Sequence, residues 1–111
     1  MTVRERIDAI SREHFDIESV NPDRTCVLIL QTAALHALSL RECVRAKVAY
    51  KRALWAVRQA SKSAADATIE AEAGEAYHEW LEAEAAKEAT EILNASLQKV
   101  LSKFEAETRV L

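Results

Sequence analysis

Hydrophobic residues recur at helical spacing along most of the chain. Val3, Ile7 and Ile10 lie three or four positions apart, which predicts a short amphipathic helix ending near His14. Residues 15–20 show no clear period and predict a connector packed on the rest of the molecule. The first segment, residues 1–20, is therefore expected to be a short helix followed by a connector.

Two local signals predict where helices begin. Thr2 is followed three residues later by Glu5, the spacing of a capping box. Asn21 precedes Pro22, and these residues suit the cap and the first turn of a helix. A long second helix is therefore expected over residues 21–60.

A third helix is expected over residues 64–109. Residues 61–63 offer the break before it, and either Ser63 or Asp66 could cap it. A coiled-coil rhythm of three- and four-residue steps runs through this helix. Its seam comprises Ile69, Ala73, Ala76, Trp80, Ala83, Ala86, Thr90, Leu93, Leu97, Val100 and Phe104. With a turn near residue 64, position i of the second helix faces roughly position 128 − i of the third.

The second helix carries more apolar surface than one partner helix can cover. A broad face is predicted to pack inside the molecule: Leu35, Leu38, Ala46, Ala49, Ala53, Ala56, Val57 and Ala60. A separate narrow stripe predicts self-association, because large exposed apolar patches are typical of interfaces. The predicted oligomer interface comprises Val27, Leu30, Leu40, Val44, Val48 and Trp55. The alternative is a compact three-helix monomer in which the first helix covers the stripe.

Composition supports an all-α fold. The 111 residues are 50% hydrophobic and include one Gly and one Pro, too few turn residues for a sandwich or barrel. We therefore expect a single helical domain over residues 1–111. It comprises a short helix followed by a long antiparallel helical hairpin.

Other features bear on cellular location. The two cysteines, Cys26 and Cys43, form no paired motif, which favours free thiols in a reducing compartment. No secretion signal is evident, and the apolar run over residues 26–40 is judged too short and too polar to span a bilayer. A cytoplasmic location without a membrane partner is expected, in the host cell if a phage encodes the chain.

No pattern of catalytic or metal-binding residues emerges. His14, His36 and His78 are far apart, and Gly-rich phosphate loops and nucleophile motifs are absent from the sequence. One Glu-x-x-His spacing, Glu75 to His78, is weak support for a metal site. We expect a protein that is not an enzyme and uses no cofactor.

Charge is strongly segregated. Residues 41–62 contain seven cations and one acid, and residues 66–91 contain nine acids and one cation, giving +6 and −8. One interpretation is internal pairing of Arg45 with Glu82 and Glu84, Arg52 with Glu75, and Arg58 with Glu70. The other is a nucleic-acid-binding surface, since phosphates pair with cations and bases stack on aromatic rings. Its candidate residues are Arg41, Arg45, Lys47, Lys51, Arg52, Trp55, Arg58 and Lys62.

The segment Lys47-Val-Ala-Tyr-Lys51-Arg52-Ala-Leu54 resembles the basic helix of phage recombination mediator proteins of the UvsY type. That resemblance implies a small helical protein that assembles into rings, binds single-stranded DNA and helps load a recombinase. It gives the DNA-contacting role to Lys47, Lys51 and Arg52. Here Lys51 and Arg52 are adjacent, whereas the family separates its Lys and Arg by one residue.

Two functional hypotheses therefore stand. The first is a homo-oligomeric recombination mediator that binds single-stranded DNA and a recombinase. The second is a phage anti-defence or adaptor protein whose acidic helix, residues 70–91, binds a basic protein partner.

Overall fold

The computed structural model describes residues 2–14, 21–60 and 63–110. It contains four helices: α1 (Val3–His14), α2 (Pro22–Ala60), α3 (Ala64–Glu72) and α4 (Glu75–Val110). No strand occurs in the described ranges, and the all-α prediction is confirmed. The predicted connector over residues 15–20 lies outside them.

Side-chain caps begin three of the helices, as their sequences indicate. The Glu5 amide donates to Thr2 Oγ1 at 3.1 Å, and the Arg24 amide donates to Asn21 Oδ1 at 2.8 Å. At α3 the Asp66 amide donates to Ser63 Oγ at 3.1 Å, so Ser63 is the cap. Each cap satisfies one backbone donor that has no partner within its helix.

The prediction of one helix over residues 64–109 is wrong at Ala73 and Gly74, which separate α3 from α4. The Gly74 amide donates to the Ala71 carbonyl at 3.1 Å, forming a tight turn in place of the regular helical bond. A Cβ on Gly74 would lie 3.2 Å from that carbonyl oxygen, so glycine suits the close approach.

The chain divides into two compact units, and the first comprises Met1–Leu38 and Glu88–Leu111. Its apolar core contains Ile7 and Ile10 of α1, Leu28 and Leu35 of α2, and Leu93 and Leu97 of α4. His36 Nδ1 lies 3.0 Å from Thr90 Oγ1, and Asn94 Nδ2 donates to the Ile29 carbonyl at 3.3 Å. The contact on α2 moves toward its N-terminus, from His36 to Ile29, as the contact on α4 moves toward its C-terminus, from Thr90 to Asn94. The two helices therefore pack antiparallel in this unit.

The second unit, Ser39–Lys87, contains the C-terminal part of α2, all of α3 and the start of α4. Its buried residues include Ser39, Cys43 and Tyr50 of α2, with Ala67 and Ala71 of α3. Tyr50 contacts Tyr77 and Trp80, close to the predicted facing position 78. Because Lys47, earlier on α2, lies near Trp80 and Tyr50 near Tyr77, α2 is again antiparallel to α4.

The predicted inner face of α2 is only partly correct. Leu35 is buried, whereas Ala49, Ala56 and Ala60 are exposed. The buried positions instead include three hydroxyl residues, Thr25, Thr32 and Ser39, alongside the apolar Leu28, Leu35, Cys43 and Tyr50. Thr32 Oγ1 donates to the Leu28 carbonyl at 2.7 Å, so a hydroxyl can be buried here without losing its hydrogen bond.

The predicted seam of the third helix holds in α4 and fails before Gly74. Thr90, Leu93 and Leu97 are buried, as expected, but Ile69 is 69% exposed. The interruption at residues 73–74 changes the register, and α3 buries Ala67 and Ala71 in place of Ile69 and Ala73.

Helix α2 is long and apolar enough, by length and composition alone, to cross a membrane. An 18-residue window in it has a mean hydropathy of 1.3, and 28% of that window is buried in the structure. The apolar run over residues 26–40, which was expected to be too short and too polar to span a bilayer, is only part of this longer helix. Because core helices of soluble proteins meet the same criterion, this finding is weak support for a membrane span.

Candidate nucleic-acid interface

The cations of α2 form an exposed basic face within the second unit. The side chains of Arg41, Arg45, Lys47, Lys51, Arg52 and Arg58 are all solvent-exposed. The predicted contribution of Lys62 lies outside the described residues. On a helical wheel, Arg41, Arg45 and Arg52 border one side of an apolar stripe, and Lys47, Lys51 and Arg58 border the other.

The apolar stripe between these two rows of cations is also exposed. Leu40 is 42% exposed, Val44 62%, Val48 44% and Trp55 65%. The alternative in which the first helix covers this stripe is therefore wrong. Exposed aliphatic and indole surface flanked by cations can contact both the bases and the phosphates of a nucleic acid.

Part of the basic face forms a shallow concavity of about 390 Å³. It is lined by Lys47, Val48, Lys51, Arg52 and Trp55. These residues span two turns of one helix, so a continuous helix holds three cations around an indole ring. The three cations are the same residues to which the sequence resemblance gives DNA contact.

Among the described residues, no ion pair neutralises the exposed cations of the basic face. The proposed pairs of Arg45 with Glu82 and Glu84, Arg52 with Glu75, and Arg58 with Glu70 do not form. Across the described part of the chain, ion pairs join Arg4 to Asp8 and Arg24 to Glu13, and His36 Nε2 lies 3.9 Å from Glu91 Oε1. None of these involves a cation of the basic face, which leaves those charges available to a partner.

An aromatic cluster supports the basic face from inside the second unit. Tyr50 of α2 stacks on Trp80 of α4, with centroids 5.2 Å apart and planes 22° from parallel. Tyr77 lies 5.2 Å from Tyr50 and meets Trp80 edge-on at 6.1 Å. The cluster fixes this part of α2 against α4.

The aromatic cluster also contacts two lysines of the basic face. Lys47 Nζ lies 5.9 Å from the Trp80 ring centroid, and Lys51 Nζ lies 5.9 Å from the Tyr50 centroid. Both distances fall at the outer limit of cation–π attraction. The rings therefore help hold the two ammonium groups on one side of α2 while leaving them exposed.

The environment of Tyr50 alters its acidity. Burial raises the pKa of the Tyr50 phenol, and the nearby groups Glu72 and Tyr77 raise it further. The neutral phenol is therefore the form that the cluster favours. The cluster has no signature in the sequence beyond the antiparallel register, which placed Tyr50 near residue 78.

A second exposed apolar area belongs to the first unit. Val27 is 40% exposed and Leu30 is 72% exposed on α2. Both were predicted to form an oligomer interface, and their exposure is compatible with that role.

An acidic surface lies in the second unit on α3 and α4. Its exposed residues are Glu70, Glu72, Glu75, Glu79 and Glu82, while Glu84 is half-buried. No ion pair involving these six carboxylates occurs in the described ranges. The second unit thus presents two surfaces of opposite charge that do not neutralise each other.

His14 and His36 have structural contacts in the first unit. His14 Nε2 lies 2.8 Å from Ser96 Oγ and links α1 to α4, while His36 contacts Thr90. His78 is exposed and packs beside Tyr77. Among the residues that the structure describes, no three His, Cys, Asp or Glu side chains are placed to hold a metal ion.

Comparisons with protein-family models, with curated proteins and with solved structures each found no significant match.

Proposed function

We propose that the chain binds single-stranded DNA through the basic face of α2, without catalysing a reaction. The main support is the concavity in which Lys47, Lys51 and Arg52 surround the exposed Trp55. Phosphates would pair with the cations, and an unstacked base would stack on the indole. Because a duplex keeps its bases stacked inside, this arrangement favours single strands.

The proposal includes self-association and a role beside a recombinase. Exposed apolar residues on α2, from Leu30 to Trp55, support self-association. Several copies would repeat the basic face along one strand and raise the overall affinity. The role in loading a recombinase rests on the resemblance of residues 47–54 to the mediator family.

Fluorescence anisotropy with a labelled single-stranded oligonucleotide tests DNA binding. We expect binding at low salt that weakens as salt rises, because each phosphate contact releases a counterion. Replacing Lys47 and Lys51 by Gln should weaken binding and reduce the salt-dependence slope by about 1.4, or about 0.7 for each lost phosphate contact on a single strand. The matched control is Lys99→Gln with Lys103→Gln, an exposed pair at the same spacing outside the basic face.

The stacking component is tested separately at Trp55. Trp55→Ala should weaken binding at least about fivefold, whereas Trp55→Phe should retain most of the affinity. The proposal fails if no binding occurs at tens of micromolar protein, if salt has no effect, or if both lysine pairs behave alike.

A protein partner for the acidic surface is the second candidate function. It is favoured by the exposure of Glu79 and Glu82 and by the absence of ion pairs to them in the described ranges. Under this alternative, Glu79→Lys with Glu82→Lys abolishes partner binding, and Lys47→Glu with Lys51→Glu is tolerated. Under the DNA-binding proposal, loss follows the lysine substitutions instead.

A further inference from the structure

An outer row of side chains on α2 has the spacing of a coiled-coil seam. Its members follow one another at steps of four and three residues and lie within about 80° on a helical wheel. All of them are solvent-exposed, Leu30 at 72% and Val27 at 40%. The outer row comprises Asp23, Val27, Leu30, Ala34, Ala37 and Arg41. A spacing that normally packs one helix on another is therefore presented to solvent.

The outer row is apolar in its middle and oppositely charged at its two ends. No Asp, Glu, Lys or Arg occurs between Arg24 and Arg41. Asp23 stands at one end of the row and Arg41 at the other, and neither belongs to an ion pair in the described ranges. A partner that fits this row is therefore apolar in the middle and carries the opposite order of charge.

A groove in the first unit borders the outer row. It has a volume of about 440 Å³, lies between α1 and α2, and is lined mostly by apolar side chains such as Ile10 and Leu38. Ala34 lines this groove and also belongs to the outer row. A large apolar side chain of a partner that lies over Ala34 therefore has space beside it.

We infer that a second copy of this chain covers the outer row with its own outer row, the two α2 helices running antiparallel. Position i of one copy then faces position 64 − i of the other. Leu30 of one copy faces Ala34 of the other, at the edge of the groove, and Asp23 faces Arg41. Because each contact occurs twice around a two-fold axis, the row is complementary to itself. The inference rests on the proposed self-association and identifies its interface.

Charge selects the antiparallel direction. In a parallel pair Asp23 would face Asp23, Arg41 would face Arg41, and the basic faces of the two copies would lie side by side. Like charges brought together at an interface oppose association. The antiparallel direction replaces these contacts with two ion pairs of opposite charge.

The antiparallel pair leaves the proposed DNA-binding concavity uncovered. Helix α2 of the partner begins at Pro22, which lies level with residue 42 in this register. Lys47, the first residue of the concavity, lies about 8 Å further along α2. The interface therefore uses Arg41, the member of the basic face farthest from the concavity, and leaves Trp55 exposed.

A charge-swap experiment on the full-length chain tests this pairing. Asp23→Lys and Arg41→Asp each place like charges opposite one another at both ends of the interface. A chain with both substitutions restores opposite charges, and so does an equimolar mixture of the two single variants. Light scattering after size exclusion measures the mass of each sample over a range of concentrations. Leu30→Gln tests the apolar contact, with Ile92→Gln on α4 as the matched control.

We expect wild type to approach twice the 12.4 kDa mass of one chain as its concentration rises. Each single charge variant should raise the dissociation constant more than about tenfold. The double variant and the mixture should associate like wild type, which also shows that these chains are folded. Leu30→Gln should weaken association, whereas Ile92→Gln should not, although Ile92 is 71% exposed.

The results that overturn the inference differ from those that overturn self-association. If the double variant or the mixture fails to recover, or if Leu30→Gln and Ile92→Gln have equal effects, the outer rows do not pair in this way. If wild type keeps the mass of one chain at every concentration, self-association fails as well. Binding of that monomer to phosphatidylcholine vesicles would identify a membrane as the partner of the row.

Adding DNA separates this inference from the DNA-binding proposal. A labelled single-stranded oligonucleotide should bind the wild-type dimer without dissociating it, because the concavity lies outside the interface. Dissociation of the dimer by DNA would show that the two surfaces overlap and would overturn the register. If no DNA binds while the charge-swap results hold, the DNA-binding proposal fails and the pairing of copies stands.

Discussion

Individual polar side chains fix where helices begin and how α1 is held. Asn21 caps α2, and Arg24 one turn later reaches back to Glu13 at the end of α1. Both guanidinium–carboxylate hydrogen bonds form, and Arg24 Nη2 donates to Glu13 Oε1 at 2.7 Å. The bonds from Arg24 lower the pKa of the Glu13 carboxyl below its ordinary value of 4.5.

This ion pair predicts a pH-dependent contribution to stability. Since the pKa of Glu13 is lower in the folded chain than in the unfolded chain, the stabilisation is present above about pH 4.5 and is lost as pH falls through the lowered value. Denaturant unfolding of wild type and Glu13→Gln, followed by circular dichroism, measures the effect. The difference in unfolding free energy should shrink as the solution is acidified.

Arg24→Gln provides the matched test from the other side of the pair. It should abolish most of the same pH-dependent difference, because the carboxyl then loses its hydrogen-bond donor. A difference in unfolding free energy between wild type and Glu13→Gln that stays the same at every pH would contradict this assignment.

The hydrophobic pattern predicts the buried face of α4 more clearly than that of α2. The seam of α4 is regular, and Leu93 and Leu97 are buried as its spacing indicates. In α2 the buried hydroxyl residues Thr32 and Ser39 weaken the contrast between the faces, while Leu30 and Val44 are exposed. Periodicity in hydrophobicity therefore identified the helix without identifying its inner face.

The interruption of the third helix was missed for a related reason. Neither side of Gly74 carries a proline or a cluster of turn residues, and the surrounding sequence is rich in good helix formers. The close approach of Gly74 to the Ala71 carbonyl depends on the three-dimensional turn. A single glycine within a helical pattern is a weak signal of such a turn.

A pair of substitutions in α4 compares its two faces. Leu97 is fully buried, so Leu97→Ala should lower the unfolding free energy by about 2–5 kcal/mol. Ile92 is 71% exposed in the same unit, so Ile92→Ala should change it by less than about 0.5 kcal/mol. Urea unfolding of both variants checks this prediction, and equal effects would contradict the assigned seam.

Considered as a whole molecule, the chain shows how much of an exposed basic face can be predicted from sequence. Segregated charge predicted a concentration of cations on α2, and in the structure Lys47, Lys51 and Arg52 lie together around Trp55. Whether those cations were neutralised internally could not be decided, because pairing depends on side-chain positions across two helices. The aromatic contact of Lys47 with Trp80 likewise depends on packing between α2 and α4.

Self-association predicts that thermal stability depends on protein concentration. If folded copies bind one another, mass action raises the melting temperature by a few degrees for each tenfold increase in concentration. Differential scanning fluorimetry at low salt measures this dependence. A melting temperature that stays constant across the concentration range would contradict self-association.

Some apolar side chains of α2 are exposed and some of its hydroxyl side chains are buried, which is relevant to the preparation of concentrated samples. Leu30 and Val44 lie on the outside of the helix, whereas Thr32 and Ser39 lie inside. A redesign guided only by residue hydropathy would replace the buried Thr32 and Ser39 and keep the exposed Leu30 and Val44. Replacing Leu30 and Val44 by Gln changes only solvent-exposed side chains, so we expect better solubility without a change in the fold.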